Sequence, residues 1–154
     1  MCLASGLLAG CSMSPYRSPP VAAPVPSSPE AALGNEIALR AIALIGSPYQ
    51  WGAAGPHRFD CSGLVRFIHN DLGIGVPRTA AEQYAAARRV DIQQVAPGDL
   101  LFFKINGSIS HVAIYAGDGR FVHAPQTGRP VELRTLDDEY YRPRLVGVGR
   151  FRPG

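Results

Sequence analysis

An α+β fold, with N-terminal helices packed on an antiparallel sheet of about five strands, is the class this sequence predicts. Two observations carry the prediction. Up to Arg89 the apolar residues recur at helical spacing, and beyond Pro97-Gly98 they alternate at the two-residue period of strands. The second half is also cut by Gly-containing turns at hairpin intervals.

The elements follow in order. Leu33, Ile37, Ala41, Leu44 and Ile45 fall on one helical stripe that begins near Glu30 and ends at Gly46 and Pro48. A loop through Tyr49-Gln50-Trp51-Gly52 leads to Asp60, a natural N-cap, so Cys61 occupies the first turn of a second helix. Leu64, Val65, Ile68 and Leu72 mark its buried face, and Gly73 stops it. A third helix starts at Thr79, whose capping-box partner is Glu82, and is expected to finish in Arg88-Arg89, where cations suit the helix dipole. Strands are expected at Asp99–Phe103, Ser110–Ala116, Arg120–Ala124, Val131–Thr135 and Leu145–Phe151, with a short helical Leu136–Tyr141 before the last. Asn106-Gly107 and Gly117-Asp118-Gly119 supply the turns.

At 154 residues the chain holds one domain's worth of core. Its net charge is +3, and every basic residue except Lys104 is Arg. No Lys/Arg block, basic helix face or aromatic-basic interleaving is present, which argues against a nucleic-acid partner. Residues 12–29 are rich in Pro and Ser and read as a semi-extended linker, which leaves residues 30–154 as the folded domain. Ahead of the linker, Leu3–Ala9 is apolar, too short to span a bilayer, and runs into Leu8-Ala9-Gly10-Cys11. That run resembles the lipobox of bacterial lipoproteins, which implies a signal peptide over residues 1–11 and a lipid on Cys11. No Lys or Arg precedes it, the first being Arg17, so a start upstream of Met1 and a chance apolar N-terminus are both open readings. On the lipoprotein reading Cys2 is removed, Cys11 is lipidated and Cys61 stands alone, with no disulfide framework in the domain.

A lone thiol at a helix start, with His111 and His123 in strands downstream, has the parts of a cysteine nucleophile and its base. Only the thiolate attacks, and a helix N-terminus or an imidazolium lowers the thiol pKa from about 8.5. The backbone N–H groups of the same turn can receive an oxyanion, and Gly63 is expected to leave room for substrate. The two histidines lie six residues either side of Gly117. An odd-numbered loop centred there opposes them on one face with Cβ atoms about 5 Å apart. A two-residue Asp118-Gly119 turn puts them on opposite faces. We expect the odd loop, because Gly117 and Gly119 can each supply a left-handed residue. His123 then holds the tautomer and orientation of His111, as the third member of other triads does.

Tyr49-Gln50-Trp51-Gly52, Phe59-Asp60-Cys61-Ser62-Gly63, Pro77-Arg78-Thr79, Pro97-Gly98-Asp99-Leu100, Ser110–Tyr115 and His123-Ala124 together resemble the NlpC/P60 family of cell-wall cysteine peptidases. The motifs occur in the family's order and span the chain from about Glu30 to near its end. The resemblance implies a compact papain-like fold and a Cys-His-His triad, with Cys61 as nucleophile, His111 as base and His123 as orienting residue. Tyr49 matches a tyrosine that assists the oxyanion site, and Asp60 an acidic residue that binds a substrate amine. Ser62 and Arg78 complete the expected oxyanion and substrate-binding set, with Arg78 either meeting a stem carboxylate or simply solvated. The implied reaction is hydrolysis of the D-γ-glutamyl–diamino acid bond in peptidoglycan stems, with meso-diaminopimelate as the expected diamino acid. No cofactor is expected. The lipobox and linker imply a domain tethered by Cys11 at the periplasmic face of a Gram-negative outer membrane.

Other readings lead elsewhere. The same triad serves amidases and acyltransferases, and a catalytically silent wall-binding lipoprotein would need no triad at all. A zinc site at Cys61, His111 and His123 lacks any short C-x-x-C or H-x-x-H pairing, so no metal is expected. His57 and His69 read as exposed or structural, since His69 lies about two turns beyond Cys61 on its helix.

Overall fold

The computed structural model describes residues 28–153; the expected signal peptide, lipidated Cys11 and nearly all of the linker lie outside them. Among the described residues three helices, α1 (Pro29–Ala43), α2 (Cys61–Asp71) and α3 (Ala80–Ala86), precede a six-stranded sheet. Its strands are β1 (Arg88–Val90), β2 (Leu100–Ile105), β3 (Ser108–Gly117), β4 (Arg120–His123), β5 (Glu132–Thr135) and β6 (Leu145–Arg150). They lie in the order β1-β6-β2-β3-β4-β5, antiparallel throughout.

Helix starts follow from local chemistry. Ser28 caps α1 by accepting from Ala31 N–H, with Pro29 at the first helical position where its missing donor costs nothing. Asp60 caps α2, and Gly73 just beyond it takes the left-handed φ of 74°. Thr79 and Glu82 form the reciprocal capping box of α3.

Two expectations are corrected. Arg88-Arg89 does not end α3; with Val90 it forms an edge strand on β6, and Arg89 instead stacks over Tyr84 at 3.4 Å. Residues 136–141 form turns rather than a helix, and a single 3-10 turn follows at Arg142–Arg144. With β1 counted the antiparallel sheet has six strands, in keeping with the expected sheet of about five.

Alternation divides the core into two layers. Leu100, Phe102, Val112, Ile114 and Val122 face the helices and meet Ile37, Leu64, Val65 and Ile68. On the other face Leu101, Phe103, Ala113, Tyr115 and Phe121 pack against Tyr141. All three helices bear on β3, so that strand is the axis on which the site is built.

Candidate active site

Cys61 is the first residue of α2, and the preceding loop holds it there. One Asp60 oxygen, Oδ1, accepts from Gly63 N–H at 2.7 Å, and Oδ2 accepts from Gly52 N–H at 2.9 Å, which binds loop and helix together. Ala53 carbonyl oxygen crosses directly over Gly63, where a Cβ would lie 2.0 Å from it. Gly63 thus admits the protein's own loop, not substrate as expected. Because Gly63 N–H is capped and Leu64 N–H bonds Asp60 O, the first-turn donors left for an anion are those of Cys61 and Ser62.

The thiol meets β3 along an edge. The ladder between β3 and β4 pairs Ile114 with Val122 and reaches no further toward the start of β3. On the edge left open, Sγ of the half-buried Cys61 donates to Ser110 O at 3.8 Å, and the Val112 N–H points at the sulfur. A bulge in β3 between its pairings with Phe103 and Lys104 sets Ser110 out of register beside His111.

The histidines come together by a route the sequence reading did not choose. The β3–β4 turn is the two-residue Asp118-Gly119, with left-handed φ values of 51° and 69°. Alone it would place His111 and His123 on opposite faces. An extra residue in β3, Ala116, lies between the Tyr115–Phe121 and Gly117–Arg120 pairs and shifts the register by one. Continued by one pair, that register sets His123 across from Ala113, diagonal to His111 on the same face and not directly opposite it. The diagonal is within reach of two rings. His111 Nε2 lies 2.9 Å from His123 Nδ1, and Tyr141 packs on both imidazoles, with centroids 5.6 Å and 4.9 Å away.

One neighbour escaped the sequence reading. Glu132 pairs with His123 across β4 and β5, and its Oε1 lies 3.3 Å from His123 Nε2. Arg129 and Arg134 both donate to the same carboxylate, at 2.6–2.8 Å. Only the β4–β5 register could have revealed this pair, and the eight-residue connection between those strands does not fix one.

Burial governs the titration of the centre. It lowers His111 to about 3, helped by the adjacent His123, and lowers His123 to about 4 against the pull of Glu132. Burial also raises the Cys61 thiol, more than the N–H groups of Val112, Ser62 and Cys61 lower it, and the Asp60 charge adds to the rise. The sequence expectation was a lowered thiol. The helix donors are in place, but desolvation outweighs them and neither imidazole carries a charge at neutral pH. For Glu132 burial raises the pKa, and the two arginines more than offset it, leaving a net lowering.

Asp60, Ser62 and Arg78 form one cluster. Arg78 reaches both Asp60 oxygens, at 3.1 and 2.5 Å, and the buried Ser62 Oγ at 3.0 Å. Gln83, buried in α3, donates to the Ser62 and Pro77 carbonyls and so fixes the start of α2 against the approach to α3. The hydroxyl of half-buried Tyr49 sits among the Cys61, Asp60 and Arg78 groups; burial first, then the first two of these, raises its pKa. Asp60, Ser62 and Arg78, with Trp51, Ile109 and Ser110, border a groove of about 440 Å³ that opens onto the thiol. Trp51 is 84% exposed on its rim. His57 is exposed, and His69 is buried among core residues with Nδ1 on Val65 O, away from the site.

The NlpC/P60 family model matches residues 46–150. Murein DD-endopeptidase MepH of Escherichia coli K12 is 39% identical over 112 residues, covering 69% of this chain and 41% of its own length. The γ-D-glutamyl-L-lysine dipeptidyl-peptidase of Bacillus subtilis 168 is 36% identical over 129 residues, 82% of this chain and 44% of its own. The chain thus spans less than half the length of these relatives. Among solved structures, an NlpC/P60 family protein from Bacillus cereus superposes with a TM-score of 0.74 at 33% identity, over 77% of this chain and 40% of that one.

Proposed function

The chain belongs to the NlpC/P60 family, and from that membership we propose that it is a cysteine peptidase hydrolysing D-γ-glutamyl–diamino acid bonds in peptidoglycan stem peptides. The observation that carries the reading is the 2.9 Å contact between His111 Nε2 and His123 Nδ1 on the strand whose open edge holds the Cys61 thiol. With Nε2 engaged, Nδ1 is the imidazole nitrogen left to take a proton from sulfur.

In the reaction the thiol proton passes to His111 Nδ1 as sulfur attacks the γ-carbonyl carbon. A thiolate and an imidazolium, each costly alone in this buried setting, stabilise one another as they form together. The oxyanion meets the Cys61 and Ser62 N–H groups and the Tyr49 hydroxyl. Collapse breaks the C–N bond, and the diamino acid nitrogen leaves with the proton from His111. Water, deprotonated by His111, then cleaves the thioester and returns the thiol with a free γ-carboxylate. Arg78, held by Asp60 and part-exposed at the groove, offers its cation to a stem peptide that carries carboxylates, and Trp51 offers an apolar face beside it.

Incubating muropeptides with the protein and weighing the products tests this. Fragments ending in a free D-γ-glutamyl carboxylate are expected, and Cys61→Ala should abolish them. If neither sacculi nor isolated stems are cut between acid and alkaline pH, the peptidase reading fails. Products of a DD-endopeptidase cut would change the bond assigned and leave the mechanism standing.

A further inference from the structure

A base that takes its proton on Nδ1 must rest in the opposite tautomer, with hydrogen on Nε2 and a lone pair on Nδ1. Nothing in the pair of imidazoles guarantees that state. The contact between His111 Nε2 and His123 Nδ1 can be made by a hydrogen on either nitrogen. If His123 donates, His111 is left with its hydrogen on Nδ1, and the base nitrogen is blocked. The choice is therefore made at the far end of the chain, at His123 Nε2.

That nitrogen faces Glu132 Oε1 at 3.3 Å, across the β4–β5 ladder. A carboxylate accepts and cannot donate, so it holds hydrogen on His123 Nε2 and leaves Nδ1 as an acceptor. His123 Nδ1 in turn holds the hydrogen of His111 on Nε2. Arg129 and Arg134 keep Glu132 in its accepting form: three guanidinium contacts at 2.6–2.8 Å fix its position and hold its proton affinity down. The order is Glu132 ← His123 ← His111, and it leaves His111 Nδ1 without a hydrogen.

We infer that Glu132 is the positioning residue that sets the tautomers of both imidazoles and so leaves the lone pair of His111 on Nδ1, the nitrogen proposed to serve Cys61. The inference rests on the proposed roles of Cys61, His111 and His123, and Glu132 itself touches no reacting atom. The same logic operates wherever a carboxylate behind a histidine fixes its ring. Here it acts through a second ring.

Nitrogen NMR of the full chain labelled at histidine tests the inference without any substrate. At neutral pH His111 and His123 should both carry hydrogen on Nε2, whereas His69, bonded to Val65 O through Nδ1, should not. In Glu132→Gln, whose amide can donate as well as accept, the Nδ1–H form should rise in both rings. On muropeptide its kcat should fall about 10- to 100-fold, the range typical of lost outer partners, with KM changed about twofold at most. A wild-type His123 with hydrogen on Nδ1 overturns the inference even if the variant cannot be purified folded. So does a folded Glu132→Gln with unchanged tautomers and kcat. A purely structural role would lower the melting temperature and leave tautomers and kcat per folded molecule alone. If no substrate is cut by wild type, the peptidase reading fails while the tautomer result still decides the role of Glu132.

Discussion

Asp60 is only 6% exposed, and its carboxylate can be buried because its lone pairs are used: Gly52 and Gly63 N–H groups, both arms of Arg78 and the Ser62 hydroxyl converge on it. One residue therefore caps the helix, locks the loop before it and holds the guanidinium at the groove. The N-cap role was legible from its place before Cys61; the other bonds required the fold. Gly63 has a similarly local reason. Its missing side chain is the space through which Ala53 carbonyl passes, and backbone on both sides leaves nothing flexible to yield. Gly63→Ala should overpack that crossing and cost about 1–3 kcal/mol. In a domain of this size that lowers the melting temperature by roughly 3–15 °C. Thermal unfolding of the variant checks it, and an unchanged midpoint would show that the loop can simply move aside.

At the scale of elements, β3 does most of the positioning, and it does so by irregularity. Its bulge beside Ser110 turns a carbonyl toward Cys61, and its bulge at Ala116 brings His123 onto the face of His111. Tyr115 braces the second bulge, its hydroxyl accepting from Gly119 N–H at 3.0 Å. Deleting Ala116 should keep the Asp118-Gly119 turn but move His123 to the opposite face. Activity should then fall at least as far as in His123→Ala. A deletion variant with a cooperative melt and the wild-type rate would end this account of the bulge. Most of the fold was readable beforehand, because caps, turn residues and apolar periods are local signals: Asp60, the Thr79–Glu82 box and Asn106-Gly107 stand where expected. The sites of failure are non-local. β1 is three residues long, and its arginines suit a helix end as well as an edge strand until β6 is present to pair with them. The parity of the hairpin depends on one extra residue, and an Ala at a bulge has no sequence signature. Glu132 was invisible for the same reason: its partner is across a ladder.

Taken whole, the molecule buries three histidines within one small domain: His69 on α2 with its ring against Phe151, and His111 and His123 in contact across β3 and β4. Burial is the main cause that lowers each of them, to about 4, 3 and 4. In an unfolded chain the same rings titrate near about 6.5. Between these values the unfolded state binds more protons than the folded one, so stability rises with pH. Above about pH 6.5 the contribution is complete, and it is lost progressively as the pH falls toward the folded values. Near pH 5 three rings are protonated only when unfolded, which gives a slope of roughly 4 kcal/mol per pH unit. Against a net stability of about 5–15 kcal/mol, two pH units of that slope remove about 8 kcal/mol, a large share of the total. Melting temperatures should accordingly drop steeply from pH 6 to pH 4.5 and stay nearly level from pH 7 to pH 8. His69→Leu separates this cause from general acid sensitivity. His69 Nε2 is buried with no hydrogen-bond partner, so its loss leaves nothing newly unpaired at that position. The variant should keep the level region and reduce the acid slope by about one third. A melting temperature flat to pH 4.5, or a slope untouched in His69→Leu, would mean that the buried rings do not set the acid limit of the fold.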